Sequence, residues 1–486
     1  MDTILLFGAG KSATVLIDYL MQQAHKHLWQ VIVVDNNAAL LQQKITDTTH
    51  TTGVVLNIEQ DATARQQLIA QASVVISLLP PTLHIIVAKD CIEYGTHLLT
   101  ASYVDDGIRA LATSIKEKGL IFLYEMGLDP GIDHMSAMQL IHQIQAKGGI
   151  ISSFASHCGG LVAPESDTNP WHYKISWNPR NVVLAGKAGA VYKAHNKIER
   201  QGYEQIFAHT PAVRIAGMPY LSYYANRDSL SYIPLYNLEH VHTFIRTTLR
   251  HSQFIMGWHY LVELQFTNED KVYQTDGMSI AAFFRAHLES VHFADWLVTT
   301  LEKKYDSHEV ISQILTKQLL TDDVGSKQLT VNAQGVLQET HDNTTAEDDI
   351  TLLFTQLRYL GMEDAYSMIN KGLCSAADIL QYLLETKLVL LPHDKDRVVI
   401  QHEITYTLHN KSYTDTSTLI LDGQDNVHTA MATTVGLPLG IAAKLILDGT
   451  ITQQGLSIPI TEGVYEPVLK ALDALGISFA HNTTAK

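Results

Sequence analysis

The chain has 486 residues, a hydrophobic fraction of 46% and a formal net charge of −16, with a mean hydropathy near zero. That length exceeds one ordinary core, so two or three domains are expected, and the acidic balance excludes the basic footprint that nucleic acid or an anionic membrane surface would require. Cys91, Cys158 and Cys374 are odd in number and form no CxxC pair. They make no disulfide framework and point to a reducing, cytoplasmic setting.

The chain opens on an apolar run with no basic leader. The longest apolar stretch, GLPLGIAAKLIL, is interrupted by Lys444, so neither export nor membrane insertion is expected. The first 126 residues alternate apolar runs with helical patterns: TILLFGAG, KSATVLIDYLMQQ, QVIVVD, SVVISLLP, THLLTAS and LIFLYEM. This punctuation implies an α/β fold with a doubly wound parallel sheet. Strand ILLF runs into Gly8-Ala9-Gly10-Lys11-Ser12-Ala13, a G-x-G-x-x-A turn opening a helix. Gly8 makes the tight turn, Gly10 lets a pyrophosphate approach the backbone, Ala13 allows helix-on-strand packing, and the helix N-terminus offers free N–H groups.

Asp35 closes the next strand, VIVVD. A carboxylate there accepts from both hydroxyls of an adenosine ribose and repels a 2′-phosphate, so NAD is expected over NADP. The later strands end in SLLPP and TASY. Ligands of open parallel sheets lie beyond the carboxyl ends of the strands, which places Leu78, Leu79, Pro80, Ser102 and Tyr103 near the nicotinamide. GLDPGIDH, residues 127–134, is the same kind of junction one strand further on. Its glycines and proline suit a sharp turn under a ligand, Asp129 can face that ligand, and Asp133 is equally a helix cap.

From about 150 to 270 the runs SFASHCGGL, NVVLAG and HYLVELQF imply strands of a mixed sheet and a second domain. HCGGLVAPESDTNPWHYKISWNPRN is rich in Gly, Pro, Asn and Trp, a composition that suits a pocket wall. Cys158 is either a small buried hydrophobe or an active-site thiol, and Gly159 and Gly160 beside it favour the thiol. The chain has only eleven arginines, yet Arg214, Arg227, Arg246 and Arg250 fall close together. Arg246 and Arg250, four apart, would share one face of a helix. Converging guanidinium groups hold carboxylates bidentately, so an acidic protein built this way binds a small polyanion. The 24 histidines show no metal-ligand spacing; His134, His157 and His172 are expected to hydrogen bond structurally, and no metal is assigned.

Residues 275–392 read as helical (ISQILTKQLL, DDITLLFTQLRYLG, AADILQYLLETKLVLL), around a polar exposed loop at 326–349. VVIQHEITYTL and STLILDG read as an antiparallel pair. The last 60 residues read as helical, with Gly436 and Pro438 at a helix start and Gly449 after its end.

The phrases EMGLDPGIDH, SHCGGLVAPESDTNPWHYKISWNPR, NRDSLSYIPLYNLEHVHTFIRTTLR and MATTVGLPLGIAAKLILDGTI resemble the glutamate-forming saccharopine dehydrogenase (saccharopine reductase) family. The resemblance implies a Rossmann domain (1–130 with 425–486), a mixed α+β substrate and dimerisation domain (131–274 with 395–424) and an α-helical insertion (275–394). It implies an oxidoreductase of lysine metabolism converting saccharopine, NAD(P) and water into glutamate, 2-aminoadipate 6-semialdehyde and NAD(P)H, and a homodimer. Family substrate contacts map onto Ser102, Tyr103, Asp129, Cys158, Gly159, Arg227, Thr248 and Arg250, and Asn178 falls at the cofactor edge. Fungal biosynthetic members carry a basic residue after the second strand. Here Asp35 is followed by Asn36 and Asn37, which supports NAD and leaves the direction of the reaction open.

Saccharopine is a secondary amine with three carboxylates, which matches the arginine cluster. Its oxidation and the later hydrolysis need a group exchanging protons near neutral pH. Asp129, Tyr103 and Cys158 are the candidates, Asp129 first. Two other readings exist. A carboxynorspermidine or homospermidine-type enzyme would take cations and need carboxylates where these arginines stand. A non-catalytic NAD-binding sensor would bind cofactor without turnover.

Overall fold

The computed structural model describes residues 1–304 and 346–485. Strands β1 (Thr3–Phe7), β2 (Gln30–Asp35), β3 (Thr51–Val55), β4 (Val74–Ser77), β5 (His97–Thr100) and β6 (Ile121–Leu123) form one parallel sheet in the order β6-β5-β4-β1-β2-β3, and strand Gly455–Ser457 adds beside β6. The sheet is covered on both faces. Ile4 and Leu6 of β1 point into a core shared with helices Thr14–His27 and Ala430–Leu447, and Leu5 and Phe7 point into another shared with helix His84–Tyr94. Burial on both faces is why β1 and β4 carry unbroken apolar runs. The sequence turns from one side of the sheet to the other between β1 and β4, so a crevice opens there at the strand ends. β3, with sequence TTGVV, is an edge strand whose Gly and two Thr give no apolar run; it went unread in the sequence.

A second sheet of ten strands follows the order 212–213, 221–225, 243–250, 150–162, 396–408, 411–422 and 480–485, with 227–228, 190–194 and 197–201 attached to one side. Strand Ile150–Val162 is its central member, parallel to Thr243–Arg250 and antiparallel to Asp396–Leu408. VVIQHEITYTL and STLILDG do form the antiparallel pair. The terminal strand Ala480–Ala485 also joins this sheet, along Lys411–Asp422.

Three local expectations are corrected. NVVLAG is not a strand: Asn178 caps a short helix, Pro179–Val183, by accepting from the Arg180 N–H, with proline at its first position. HYLVELQF is the last five residues of helix Ser252–Glu263 and the turn after it; Phe254, Ile255, Trp258, Leu261 and Val262 of that helix share a buried face at helical spacing, and a window starting mid-helix caught only its apparent alternation. Arg246 and Arg250 lie on strand Thr243–Arg250 and not on a helix, but the period of two still puts 246, 248 and 250 on one face.

The long C-terminal helix runs Ala430–Leu447, capped by the Thr429 side chain on the Ala432 N–H, so Gly436 and Pro438 are interior and not at its start. Gly449, at φ +75°, follows its end as expected. By composition this 18-residue helix could cross a membrane, but 72% of it is buried against the rest of the chain. Among the described residues of the region read as helical are helices Ile280–Ser290, Phe293–Lys304, Ala346–Tyr359 and Ala376–Lys387, together with strand Leu373–Ser375, which pairs with Lys271–Gln274. ISQILTKQLL and most of the 326–349 stretch lie outside the described residues.

Candidate functional site

The glycine turn follows β1 directly. Gly8 sits at φ +99°, and a Cβ there would come within 2.8 Å of the Leu78 carbonyl oxygen, so only glycine passes between β1 and the end of β4. At Gly10 a Cβ would meet nothing within 4 Å: the space beside the turn is open. That opening belongs to a cleft of about 660 Å³ lined by Gly8, Gly10, Lys11, Ser12, Ala13, Asp35, Asn36, Leu78, Leu79, Pro80, Ser102 and Asn178. The glycine turn, Asp35, Asn36, Leu78, Leu79, Pro80, Ser102 and Asn178 are therefore on one surface, while Tyr103, read as near the nicotinamide, is outside that lining. Asp35 holds the turn as well as lining the cleft: Oδ2 accepts from the Ala9 N–H at 2.7 Å and Oδ1 from the Asn37 N–H at 2.9 Å.

Sequence reasoning missed part of the lining. Leu56, Asn57, Ile58 and Glu59 follow the unread strand β3, Val435 comes from the C-terminal helix, Trp177 precedes Asn178, and Asn181 lies on the short helix that Asn178 caps. The size, the glycine turn, a carboxylate at the end of β2 and the open side of Gly10 together suit a dinucleotide. Beneath the cleft, His84 bridges two serines of the lining, with Nδ1 2.9 Å from Ser77 Oγ and Nε2 2.6 Å from Ser102 Oγ. Nothing in the local sequence marked it.

Tyr103, next to Ser102, leads out of the cleft into a charged cluster. Its hydroxyl donates to Asp129 Oδ1 at 3.2 Å. One terminal nitrogen of Arg246 donates to both Asp129 Oδ1, at 2.6 Å, and Asp133 Oδ2, at 2.8 Å. Asn226 Nδ2 donates to Asp129 Oδ2 at 3.4 Å. The GLDPGIDH junction creates this geometry. Gly131 is at φ +149°, where a Cβ would fall 2.0 Å from the Gly127 carbonyl oxygen, and Asp133 Oδ1 accepts from the Gly131 N–H. Asp133 is thus both a cap of the turn and a partner of Arg246.

The electrostatics separate the three proton-exchange candidates. Burial raises the Asp129 carboxyl above the ordinary range, Arg246 opposing and Asp133 adding to the effect. Burial would also raise Asp133, but His134, Arg246 and the Gly131 N–H together hold it low. Burial and the neighbouring carboxylates push the Cys158 thiol and the Tyr103 phenol well up, so both stay protonated.

The second sheet supplies the guanidinium groups. On strand Thr243–Arg250, Arg246, Thr248 and Arg250 share a face, and Thr248 is the lateral neighbour of Cys158. Arg246 and Arg250 are 2% and 5% exposed. Arg250 donates to the carbonyls of Gly160 and Leu249 and lies over the rings of Tyr173 and Phe254. A terminal nitrogen of Arg246 and Nε of Arg250 are buried without a hydrogen-bond partner among the described residues. Buried donors left unmet are costly, and an anionic ligand would meet them. Arg227, exposed and at φ +52°, lies 5.1 Å from the Tyr103 ring centre at the rim. Arg214 is not brought in: it is exposed beyond the outermost strand, its carbonyl accepting from Gln401. At Gly159 a Cβ would run into Leu249, on the face away from these arginines, so only its backbone is left for a ligand.

The family described as "Saccharopine dehydrogenase C-terminal domain" matches residues 127–477, and "Saccharopine dehydrogenase NADP binding domain" matches residues 4–123. The NADP(+), L-glutamate-forming saccharopine dehydrogenase of Saccharomyces cerevisiae is 30% identical over 494 residues, covering 99% of each chain. The apo structure of saccharopine dehydrogenase (L-Glu forming) from the same yeast superposes with a TM-score of 0.79 at 29% identity, over 100% of both chains. The mitochondrial alpha-aminoadipic semialdehyde synthase of Bos taurus is 30% identical over 490 residues; this chain spans 48% of that protein's length.

Proposed function

The chain belongs to the saccharopine dehydrogenase family, and from that premise we propose that it oxidises saccharopine at its secondary amine with NAD, giving L-glutamate and 2-aminoadipate 6-semialdehyde, or runs the reverse. The observation that carries this is the pair of buried guanidinium groups, Arg246 and Arg250, each with an unmet donor, on the strand face whose Arg246 binds the Asp129 that Tyr103 also reaches. Ser102, one residue before Tyr103, lines the cleft. A tricarboxylate amine held by those arginines would thereby lie beside the nicotinamide end. A polyamine would face the same groups with the wrong sign of charge.

The glycine turn and the free N–H groups after it would hold a pyrophosphate, Asp35 a ribose, and Leu78, Leu79, Pro80, Ser102 and Asn178 the nicotinamide half. A bound nicotinamide supplies the two-electron oxidant. The protein holds the substrate carboxylates at Arg246, Arg250 and Arg227, keeps the reacting carbon dry with the walls around Cys158 and Tyr103, and takes the amine proton at Asp129. Asp129 is suited to that step because burial raises it toward neutrality, whereas Cys158 and Tyr103 stay protonated and act as donors. The preference for NAD rests on Asp35, whose carboxylate at the cleft edge would lie against a 2′-phosphate; the yeast relative is named for NADP(+). A homodimer working in the cytoplasm belongs to the same reading, supported by the family resemblance and by three free, buried cysteines.

The test is NADH formation at 340 nm with saccharopine and with carboxynorspermidine, each with NAD and NADP. Turnover of saccharopine with NAD preferred is the expected result. Turnover of carboxynorspermidine alone would overturn the substrate, and a strong preference for NADP would overturn the role of Asp35.

A further inference from the structure

Glu125 stands just past β6, at the head of the GLDPGIDH junction, and takes no part in the chemistry described so far. Its backbone is in the left-handed region at φ +58°, where a non-glycine residue is strained and persists only if its surroundings over-determine it. The surroundings do so. Glu125 is 3% exposed, and its carboxylate collects three partners: Oε1 accepts from the Val104 N–H at 3.2 Å, and Oε2 accepts from the Tyr232 hydroxyl at 3.0 Å and lies 2.9 Å from His134 Nε2. Its own N–H donates to the Ser102 carbonyl at 3.1 Å.

These partners come from three separate parts of the chain, each carrying a site residue. Ser102 and Val104 bracket Tyr103. His134 follows Asp133 on helix Ile132–Ala146, and its Nδ1 is 2.5 Å from the Tyr236 hydroxyl. The Tyr232 ring stacks on His134 at 5.0 Å and faces the Arg246 guanidinium at 4.5 Å. Burial alone would raise Glu125, but His134 and the Val104 N–H hold it below the usual carboxylate range, so it stays an acceptor on both oxygens.

We propose that Glu125 is the positioning residue of the site: its carboxylate fixes Tyr103 from one side and, through His134 and Tyr232, Arg246 from the other, so that both stand around Asp129 before substrate arrives. Glu125 touches no reacting atom; it acts through its partners. This rests on the function proposed above and goes beyond it by naming what holds the chemistry in register.

Glu125→Gln tests it, because an amide of the same size has one acceptor oxygen: with that oxygen on the Val104 N–H, an NH2 replaces the acceptor facing the Tyr232 hydroxyl and His134, and both must turn their own hydrogens away. The expected result is a kcat with saccharopine lowered about tenfold or more, as displacement of a reacting group by an ångström would cause. NADH affinity, read by energy transfer from tryptophan, should stay within about twofold, and the crystal structure of the variant should show the Tyr103 hydroxyl off Asp129. Tyr232→Phe, which removes one arm and keeps the ring over Arg246, should lower kcat less and in the same parameter. A wild-type kcat in Glu125→Gln would overturn the proposal, as would equal losses of kcat, NADH affinity and melting temperature, the signature of a merely structural residue. If Glu125→Gln does not fold, Tyr232→Phe decides, with an unchanged kcat counting against. If the unmodified protein does not turn over saccharopine, the functional reading fails by itself, and the positions of Tyr103 and Arg246 in the Glu125→Gln crystal structure still decide whether Glu125 sets them.

Discussion

The proton-accepting role proposed for Asp129 rests on its surroundings. Burial raises it and the Arg246 guanidinium only partly compensates, so at neutral pH the folded protein bears a cost for keeping it charged. An acid whose folded pKa is raised contributes stability that is present below its unfolded value, about 3.9, and lost as the pH rises through the raised value. Asp129→Asn removes that cost while Asp133 still meets the guanidinium at 2.8 Å. The variant should therefore melt no lower than the parent at pH 7 to 8, with any advantage shrinking as the pH falls toward the carboxylate range, while turnover drops about 100-fold or more for loss of a proton acceptor. A variant much less stable at pH 8, by an amount independent of pH, would show that the charge is structural. Asp129 was legible in the sequence because two glycines and a proline announce a sharp turn around it. His84 and Glu125 were not: each sits in an ordinary-looking apolar context, and its importance comes from partners far along the chain.

Helix Ala430–Leu447 joins the two halves of the proposed site. Its first N–H groups, at Ala430 and Met431, are capped by Asp396 of the second sheet at 2.6 and 3.0 Å, and Met431 also packs where a Cβ on Gly160 would be. One turn on, Val435 lines the cofactor cleft, and Gly436 lies against helix Thr14–His27 so closely that a Cβ would stand 3.0 Å from Leu16 Cβ, 3.1 Å from its backbone nitrogen and 3.3 Å from the Ser12 carbonyl oxygen. Gly436→Ala sets two effects against each other. Alanine gains up to about 1 kcal/mol in helix propensity, and the contact with backbone costs about 1–3 kcal/mol of overpacking. Overall stability should fall by up to about 2 kcal/mol, and the strain falls on the turn that carries Ser12, so the KM for the dinucleotide should rise about fivefold with the KM for saccharopine unmoved. A rise in the saccharopine KM alone would show that the helix reports to the wrong site. The glycines and Pro438 were visible in the sequence, yet they read as a helix start. The true start is a Thr429 cap followed by AMATT, without an acidic first turn or clear periodicity.

At the scale of the whole molecule, the parallel sheet was legible because strands buried on both faces are written as unbroken apolar runs, and β3 escaped because an edge strand need not be. The second sheet was less legible, since its wall segments mix short helices with strands of similar composition. Burial across both sheets also sets how the protein answers to acid. His84, His157 and His251 are lowered to about 4 and His402 to about 3, each chiefly by burial. His84 lies under the cleft; His157 and His402 are on adjoining strands, where they bond Thr247 and Ser136 at 2.7 Å. As the pH falls below about 6.5 the unfolded chain takes up these protons first, so each group withdraws up to about 1.4 kcal/mol of stability per pH unit until its folded pKa is reached. Asp129 and Asp396, both raised by burial, work in the opposite direction, but they are two against four. Asp47 and Asp364, held at about 2, lose their contributions only at lower pH. Between pH 6.5 and 5 the four histidines together withdraw at most about 8 kcal/mol, a large part of a total stability on the order of 5–15 kcal/mol, so the protein should be markedly less stable near pH 5. Melting followed by circular dichroism should give a nearly constant midpoint from pH 8 to 7 and a steep fall below 6.5. A midpoint unchanged down to pH 5 would mean that these imidazoles reach solvent and take their protons in the folded state.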